Sequence, residues 1–194
     1  LDKARETGMD AWVYDENGWP SGFVGGKLLE NENYRARFLE YSVGEYDESA
    51  FAAYIADNKQ GFIRVEKPLD GVKEYHNIYL RISPANSDIL NPDAVDAFIR
   101  ETHEKYYERF KDYFGKELVG FFTDEPQYYR WGTPYAPSAE AEFAKDGEDI
   151  KDGLIWLFRK DERGYAFREK YFKTLNNLYV ENFYKKIYEW CRAH

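Results

Sequence analysis

The sequence has a single cysteine, no long apolar run and no excess of positive charge. Because Cys191 is the only cysteine, no disulfide can form within the chain. No run of about 18 apolar residues occurs, which excludes a membrane-spanning helix. The 36 acidic residues outnumber the 27 basic residues and leave a net charge of -9, so sequence-wide attraction to nucleic acid or to an anionic membrane is excluded as well.

What the chain has in excess is aromatic side chains. Phe, Tyr and Trp make up 19% of the 194 residues, and 18 of these rings belong to the amphipathic tyrosine. This is more than one core requires, so we expect some rings to face a ligand or a partner. The length and a hydrophobic share of 43% favour one domain with one sizeable core.

Two segments follow the order helix, glycine, strand. The first is a short helix closed by Gly8 and followed by the apolar run 9–14. The second is a helix that starts at the N-cap Asn91 and continues to Gly115, followed by an apolar strand over 118–123 that we expect to be buried on both faces. This order is typical of units that feed a parallel sheet.

Residues 35–83 show a different pattern, in which apolar and polar side chains alternate. The segment 57–61 has the composition of a hairpin turn between two such stretches. We therefore predict a small antiparallel β insertion over 35–83. A long helix is predicted at the end of the chain, from about 165 to 192.

Each of the two predicted parallel strands ends in an acidic pair, Asp15-Glu16 and Asp124-Glu125. The carboxyl ends of parallel strands are where α/β folds place their active sites. Four carboxylates at one sheet edge would repel one another and raise at least one pKa, as a general acid requires. The alternative is that both pairs are ordinary loop residues or helix N-caps.

Aromatic side chains flank both acidic pairs. Trp19 follows the first pair, and Tyr128, Tyr129 and Trp131 follow the second. Exposed rings in such loops commonly stack on the apolar faces of sugars, although they could equally cover the core. Substrate contacts are predicted for the residues Asp15, Glu16, Trp19, Tyr128 and Trp131.

Other common chemistries lack their sequence signatures. No dinucleotide-binding glycine motif, phosphate-binding loop or serine-hydrolase elbow occurs, and Cys191 lies in the apolar stripe of a helix. The three histidines have no zinc-type spacing. We therefore expect no cofactor, with calcium held by Asp15, Glu16 or Asp124 as an open alternative.

Three segments resemble large bacterial glycoside hydrolases with a (β/α)8 catalytic barrel, related to the α-L-rhamnosidase-like and family 2-like groups. They are WVYDENGWPSGFVGG at 12–26, ILNPDAVDAFIRETHEKYYERF at 89–110 and GFFTDEPQ at 120–127. The resemblance covers most of the chain and is weakest over 35–83. It implies an α/β fold in which residues 1–194 form a partial (β/α)8 TIM barrel, about strands two to four, with the β insertion after strand two.

The resemblance also implies residue roles. Asp124-Glu125-Pro126 is similar to the Asn-Glu-Pro of retaining barrel glycosidases, which makes Glu125 the general acid/base. Asp124 stands where the family has asparagine, and it would bind a sugar hydroxyl or tune Glu125. The nucleophile would belong to the seventh barrel strand, so we expect these 194 residues alone to be inactive.

The predicted function is therefore hydrolysis of a glycosidic bond in an oligosaccharide or glycoside. A noncatalytic carbohydrate-binding protein is the first alternative, and metal-dependent phosphoester cleavage by the acidic cluster is the second. No nucleic-acid or membrane partner is expected. Open edges of a partial barrel would favour self-association of the chain.

Overall fold

The computed structural model describes all 194 residues, which divide into two compact units. Unit 1 consists of Leu1–Arg35, Pro84–Tyr128 and Tyr179–His194, and unit 2 consists of Ala36–Ser83 and Tyr129–Leu178. None of the helices combines the length and the apolar composition that a bilayer crossing needs.

Seven strands and six α-helices follow one another along the chain. The strands are β1 (Ala11–Tyr14), β2 (Arg35–Gly44), β3 (Ala52–Asp57), β4 (Gly61–Val65), β5 (Tyr75–Ser87), β6 (Leu118–Phe122) and β7 (Thr133–Tyr135). The helices are α1 (Asp2–Thr7), α2 (Pro92–Glu101), α3 (His103–Phe110), α4 (Pro137–Lys145), α5 (Tyr165–Tyr179) and α6 (Lys186–Ala193).

In unit 1, β1 and β6 form a parallel sheet, as the two helix-glycine-strand segments predict, but they pair directly with each other, which the expected places in a barrel did not predict. Trp12 pairs with Gly120 and Tyr14 pairs with Phe122. A Cβ atom at Gly120 would lie 2.6 Å from the Trp12 ring, so only glycine leaves room for the indole across the strand.

The two-stranded sheet is covered on one face only. Phe121 packs against the core, whereas Trp12 and Phe122 on the other face are 65% and 55% exposed. The prediction that β6 is buried on both faces is therefore wrong. Self-association of the chain stays a prediction.

The helix predicted from Asn91 to Gly115 is present but interrupted. It begins as predicted, because the Asn91 side chain accepts a backbone N–H from the first turn of α2. The interruption is at Thr102, whose φ of -117° and ψ of -78° depart from ideal helical values and whose hydroxyl donates to the carbonyl of Phe98 at 2.6 Å. Hydroxyl back-bonding of this kind bends helices, so α2 and α3 are separate elements.

The core of unit 1 lies between α2 and the C-terminal helical segment. That segment is helical from Tyr165–Tyr179 through a π-helical turn at Val180–Lys185 to Lys186–Ala193, which confirms the predicted helix. The buried members of this core are Leu28, Ile89, Val95, Ala97, Phe98, Ile99, Phe183 and Trp190.

Unit 2 contains a five-stranded sheet in the order β4-β3-β5-β2-β7. The hairpin predicted at 57–61 is confirmed: Asp57 pairs with Gly61, and its carboxylate accepts the N–H groups of Lys59 at 2.9 Å and Gln60 at 2.7 Å. One edge strand, β7, comes from residues 133–135, beyond the segment predicted as an insertion.

Much of the aromatic excess fills the interior of unit 2. Tyr54, Tyr135 and Tyr171 are almost completely buried, and burial raises the pKa of each phenol. Every hydroxyl is satisfied: Tyr171 donates to the carbonyl of Pro134 at 2.6 Å, Tyr54 donates to a backbone carbonyl and Tyr135 donates to a carboxylate. These rings serve packing and are not exposed to a ligand.

The predicted partial (β/α)8 TIM barrel is wrong. A barrel segment would need successive parallel strands with a helix between each pair, but only β1 and β6 are parallel, and they pair with each other. The chain between them forms most of an antiparallel sheet in the second unit. The architecture is a five-stranded antiparallel sheet plus a two-stranded parallel sheet with helices.

Candidate functional site

Both acidic pairs lie at the same end of the parallel sheet, in a group that we name the strand-end cluster: Asp15, Glu16, Asp124 and Glu125. Asp15 extends the pairing of β1, since its N–H donates to the carbonyl of Phe122 at 3.1 Å. Ser21 joins the two strand ends, because its N–H donates to the Asp124 carbonyl and its hydroxyl accepts the Asp124 N–H, both at 2.9 Å.

Asp15 is buried, with 1% of its surface exposed. Its carboxylate accepts hydrogen bonds from the hydroxyls of Ser21, at 2.6 Å, and Thr123. Burial raises the pKa of Asp15 above its ordinary value, although the two hydroxyl donors act in the opposite direction. Asp15 therefore ties both strand ends to the following loop and has no oxygen directed to solvent.

Glu16 is enclosed by the loop that follows it. Its two carboxylate oxygens accept backbone N–H groups at 2.6 to 3.0 Å, which come from Asn17, Gly22, Phe23, Val24 and Gly25. Successive amides converging on one anion form the kind of cradle that other proteins use for phosphate. Here the glycine-rich loop holds an internal carboxylate instead.

The glycines explain how this loop closes. Gly25 and Gly26 have φ values of 57° and 98°, which favour residues without a Cβ atom, and Val24 is held at 55° despite its branched side chain. A Cβ atom at Gly22 would lie 2.9 Å from the side chain of Ile89. The sequence GFVGG is therefore used to wrap Glu16.

The Asp124 carboxylate has one side-chain partner, the hydroxyl of Tyr14. Tyr14 projects from β1 on the open sheet face, and its hydroxyl lies 2.5 Å from the Gly18 carbonyl and 3.2 Å from Asp124 Oδ2. Partial burial, and then the hydrogen bond to Asp124, raise the pKa of Tyr14. Asp124 is partly exposed, so its carboxylate is oriented by the protein and still reachable from solvent.

Glu125 differs from the other three acidic residues. It is exposed, its side chain makes no hydrogen bond or ion pair, and its φ of 42° is one of two positive values at non-glycine residues. The backbone is fixed on both sides: Asp124 is bonded to Ser21, and the Pro126 carbonyl accepts the Tyr179 hydroxyl at 2.9 Å. Strain of this kind persists when the surroundings impose it, and it is concentrated at functional sites.

The predicted ring contacts divide between the two units. Trp19, which is 44% exposed, and Tyr128 belong to unit 1 with the strand-end cluster. Tyr128 packs edge-on against Tyr179 at 5.3 Å between ring centroids. Trp131 belongs to unit 2, where the Arg130 guanidinium lies over its ring at 5.6 Å.

No group of three or more His, Cys, Asp or Glu side chains is arranged to hold a metal ion. The oxygens of Asp15 and Glu16 already accept hydroxyl and amide hydrogens, and calcium bound to them would have to replace these hydrogen bonds. Within the strand-end cluster, only Asp124 and Glu125 retain carboxylate oxygen atoms that face solvent.

Comparisons with models of protein families, with curated proteins and with solved structures found no match to this chain.

Sequence reasoning missed the residues that organise the cluster. Tyr14 could have been found, because strand alternation places it on the same face as Trp12 and it directly precedes the first acidic pair. Ser21 and Thr123 carry no such signal, since their roles depend on how the loop after β1 closes over β6. The substrate contacts predicted for Asp15 and Glu16 conflict with the burial of both side chains.

Proposed function

We propose that the strand-end cluster is a carbohydrate site in which Glu125 donates a proton to a glycosidic oxygen. The observation that carries the proposal is the strained, solvent-facing Glu125 with an unpaired carboxyl, placed where two parallel strands end. General acid catalysis requires a carboxyl that can reach the leaving oxygen. The carboxyls of Asp15 and Glu16 are buried and hydrogen-bonded within the protein, and that of Asp124 is close to the Tyr14 hydroxyl. As the proton moves to that oxygen, the bond between it and the anomeric carbon breaks. A water molecule adds to the anomeric carbon and releases a proton, which restores the protonated Glu125.

Asp124 would bind a sugar hydroxyl beside the bond that breaks. The Tyr14 hydroxyl can donate to only one acceptor at a time, either Gly18 or Asp124. Asp124 therefore keeps capacity for a donor from the substrate. Because its backbone is bonded to Ser21, the carboxylate is pre-positioned.

Trp19 would supply an apolar surface for a sugar ring. The indole is partly exposed and lies on the loop that wraps Glu16, so its position is fixed by that cradle. Tyr128 follows Glu125 closely in the chain and is partly buried against Tyr179, which suits a wall of the site better than a stacking platform.

A second candidate function is carbohydrate binding without hydrolysis. It is favoured by the engagement of Asp15 and Glu16, because glycoside hydrolysis usually needs two carboxyl groups on opposite sides of the bond. Asp124 and Glu125 are neighbours in the chain and would approach the sugar from the same side.

The expected inactivity of these 194 residues depended on the barrel, which is absent, so activity is tested on this chain. The experiment is a panel of aryl glycosides incubated with the protein, with Glu125→Gln and with Glu108→Gln. Glu108 is an exposed residue of α3, so its variant controls for loss of one surface carboxylate. Hydrolysis that survives Glu108→Gln and is lost in Glu125→Gln supports the proposal. Sugar binding without hydrolysis, equal in all three proteins, supports the second candidate and contradicts the first.

A further inference from the structure

Unit 2 contains a cleft of about 600 Å³ that lies between the tip of the β3–β4 hairpin and the segment 158–163. This volume is within the range of small-molecule sites, roughly 300 to 1,000 Å³. The three cations that line the cleft are Arg159, Lys160 and Arg163, and the two acidic residues are Asp57 and Asp161. The cleft therefore has an excess of positive charge, in a chain whose net charge is -9.

Both acidic side chains of the cleft are already engaged. Asp57 accepts the backbone N–H groups of its own hairpin turn. Asp161 accepts two hydrogen bonds from the Arg163 guanidinium, at 2.9 and 2.6 Å, and one from the Arg163 N–H at 2.9 Å. Asp161 is therefore paired with Arg163, whereas Asp57 keeps its negative charge, and two cations, Arg159 and Lys160, remain beside it.

Arg159 and Lys160 have no carboxylate within ion-pair distance and donate no side-chain hydrogen bond. Arg159 is exposed, and its guanidinium lies over the Phe62 ring at 5.7 Å from the centroid. Lys160 is exposed at the next position. Their N–H groups are therefore available to an anion that enters the cleft.

The backbone of the segment 158–163, which carries Arg159 and Lys160, is held by hydrogen bonds from Arg168. The Arg168 guanidinium donates to the carbonyls of Trp156 and Arg159, both at 3.2 Å, and to the carbonyl of Asp161 at 2.9 Å. These bonds hold the backbone on both sides of Lys160. An anion site on a fixed backbone loses less entropy on binding than one on a mobile loop.

The cleft also has an apolar floor. Phe62 and Phe158 both line it and are partly exposed. Each ring is supported from behind, Phe158 by Tyr41 at 5.2 Å and Phe62 by Trp156 at 5.4 Å between centroids. A rigid apolar surface next to unpaired cations suits a ligand with both a flat ring and a negative charge.

We infer that this cleft binds a small organic anion, with its charged group on Arg159 and Lys160 and its flat apolar part against Phe62 and Phe158. All of its residues belong to unit 2, whereas the strand-end cluster belongs to unit 1. Phosphate monoesters and carboxylates of ring compounds have this chemistry.

The test is isothermal titration calorimetry of the protein with phenyl phosphate at low ionic strength, with inorganic phosphate and phenol as the two partial probes. We expect phenyl phosphate to bind more tightly than either partial probe, because only this probe engages both the cations and the floor. Arg159→Gln and Lys160→Gln should each weaken its binding by on the order of tenfold, the size expected for a hydrogen bond to a charged group.

Lys173→Gln is the matched control, because Lys173 is an exposed cation of unit 2 outside the cleft. This variant should bind phenyl phosphate as the parent protein does, and so should Glu125→Gln. Three results would overturn the inference: no binding of phenyl phosphate, unchanged binding in both cleft variants, or inorganic phosphate binding as tightly as phenyl phosphate.

Discussion

The two acidic pairs of the strand-end cluster have the same residue types and follow two strands that pair with each other, yet their environments are opposite. Asp15 and Glu16 are buried, and hydroxyl and amide donors surround their oxygens. Asp124 is partly exposed and Glu125 is exposed, with no partner for the Glu125 carboxyl. The first pair holds the loop and the second is presented to solvent.

The difference teaches that a motif at a strand end indicates a location and does not by itself assign a role. A buried carboxylate is tolerated only when donors replace the water it loses, and Glu16 obtains them from the amides of a glycine-rich loop. Glu125 lacks such a loop and retains the hydration and mobility of an exposed acid. Substitutions in the two pairs should therefore affect different properties.

The largest effect is expected for Glu125→Gln on catalysis. Gln keeps the size and polarity of the side chain and removes the transferable proton, so the hydrolysis rate should fall about 10² to 10⁴-fold. The free energy of unfolding should change by less than about 0.5 kcal/mol, because the side chain is exposed and unpaired. Steady-state kinetics and urea denaturation measure the two quantities. A large loss of stability would show that Glu125 is structural like Glu16.

The next largest effect is a loss of stability in the variant Glu16→Gln. One carboxylate oxygen becomes an NH₂ group that faces two or three backbone N–H donors, which lose their acceptor. Since each unsatisfied buried donor costs about 1 to 3 kcal/mol, we expect a loss of about 2 to 4 kcal/mol after relaxation. Urea denaturation of this variant beside Glu125→Gln compares the two pairs directly. Equal stability of the two variants would contradict the distinction between the buried and the exposed acidic pair.

A smaller effect is expected in the pH dependence of stability. Burial raises the pKa of Asp15 in the folded chain, so near and above pH 4 the folded chain binds more protons at this group than the unfolded chain. The contribution of Asp15 to stability therefore decreases as pH rises from its ordinary pKa through the raised value. Asp15→Asn removes the titration.

Urea denaturation of the parent protein and of Asp15→Asn between pH 4 and pH 8 measures this contribution. The stability of the variant relative to the parent should increase with pH and then level off. Parallel curves for the parent and Asp15→Asn would contradict the assigned burial of Asp15.

The smallest effect on stability is expected for Glu125→Gly. A left-handed conformation costs a non-glycine residue roughly 1 to 2 kcal/mol, and glycine relieves this cost but loses more entropy on folding. We expect a gain in stability of up to about 1 kcal/mol together with loss of hydrolysis. Glu108→Gly, in helix α3, should instead lose about 1 kcal/mol. Destabilisation at both positions would mean that the φ of Glu125 is not strained.

Local patterns predicted the elements around the cluster. Gly8 after α1, Asn91 before α2 and the turn 57–61 each have a backbone requirement that specific residues satisfy, and each is found where predicted. The parallel orientation of β1 and β6 followed from two helix-glycine-strand segments, whereas their direct pairing did not. These features depend on a few neighbouring residues.

The architecture could not be predicted in the same way. A helix-glycine-strand unit is compatible with a barrel, with an open sheet and with a single parallel pair, and the segment itself does not specify which strands join it. The role of β7 as an edge of the antiparallel sheet depends on pairing with β2, far away in the sequence. The burial of Asp15 and Glu16 likewise depends on how residues 17–26 close over them.

The most direct test of the account is the rate of hydrolysis across aryl glycosides whose leaving groups differ in pKa, measured for the parent protein and for Glu125→Gln. A poor leaving group needs the proton that Glu125 supplies, whereas an activated one departs without it. The account predicts that the ratio of parent to variant rates rises steadily as the leaving group becomes more basic. A ratio that stays constant across the series would show that Glu125 is not the proton donor.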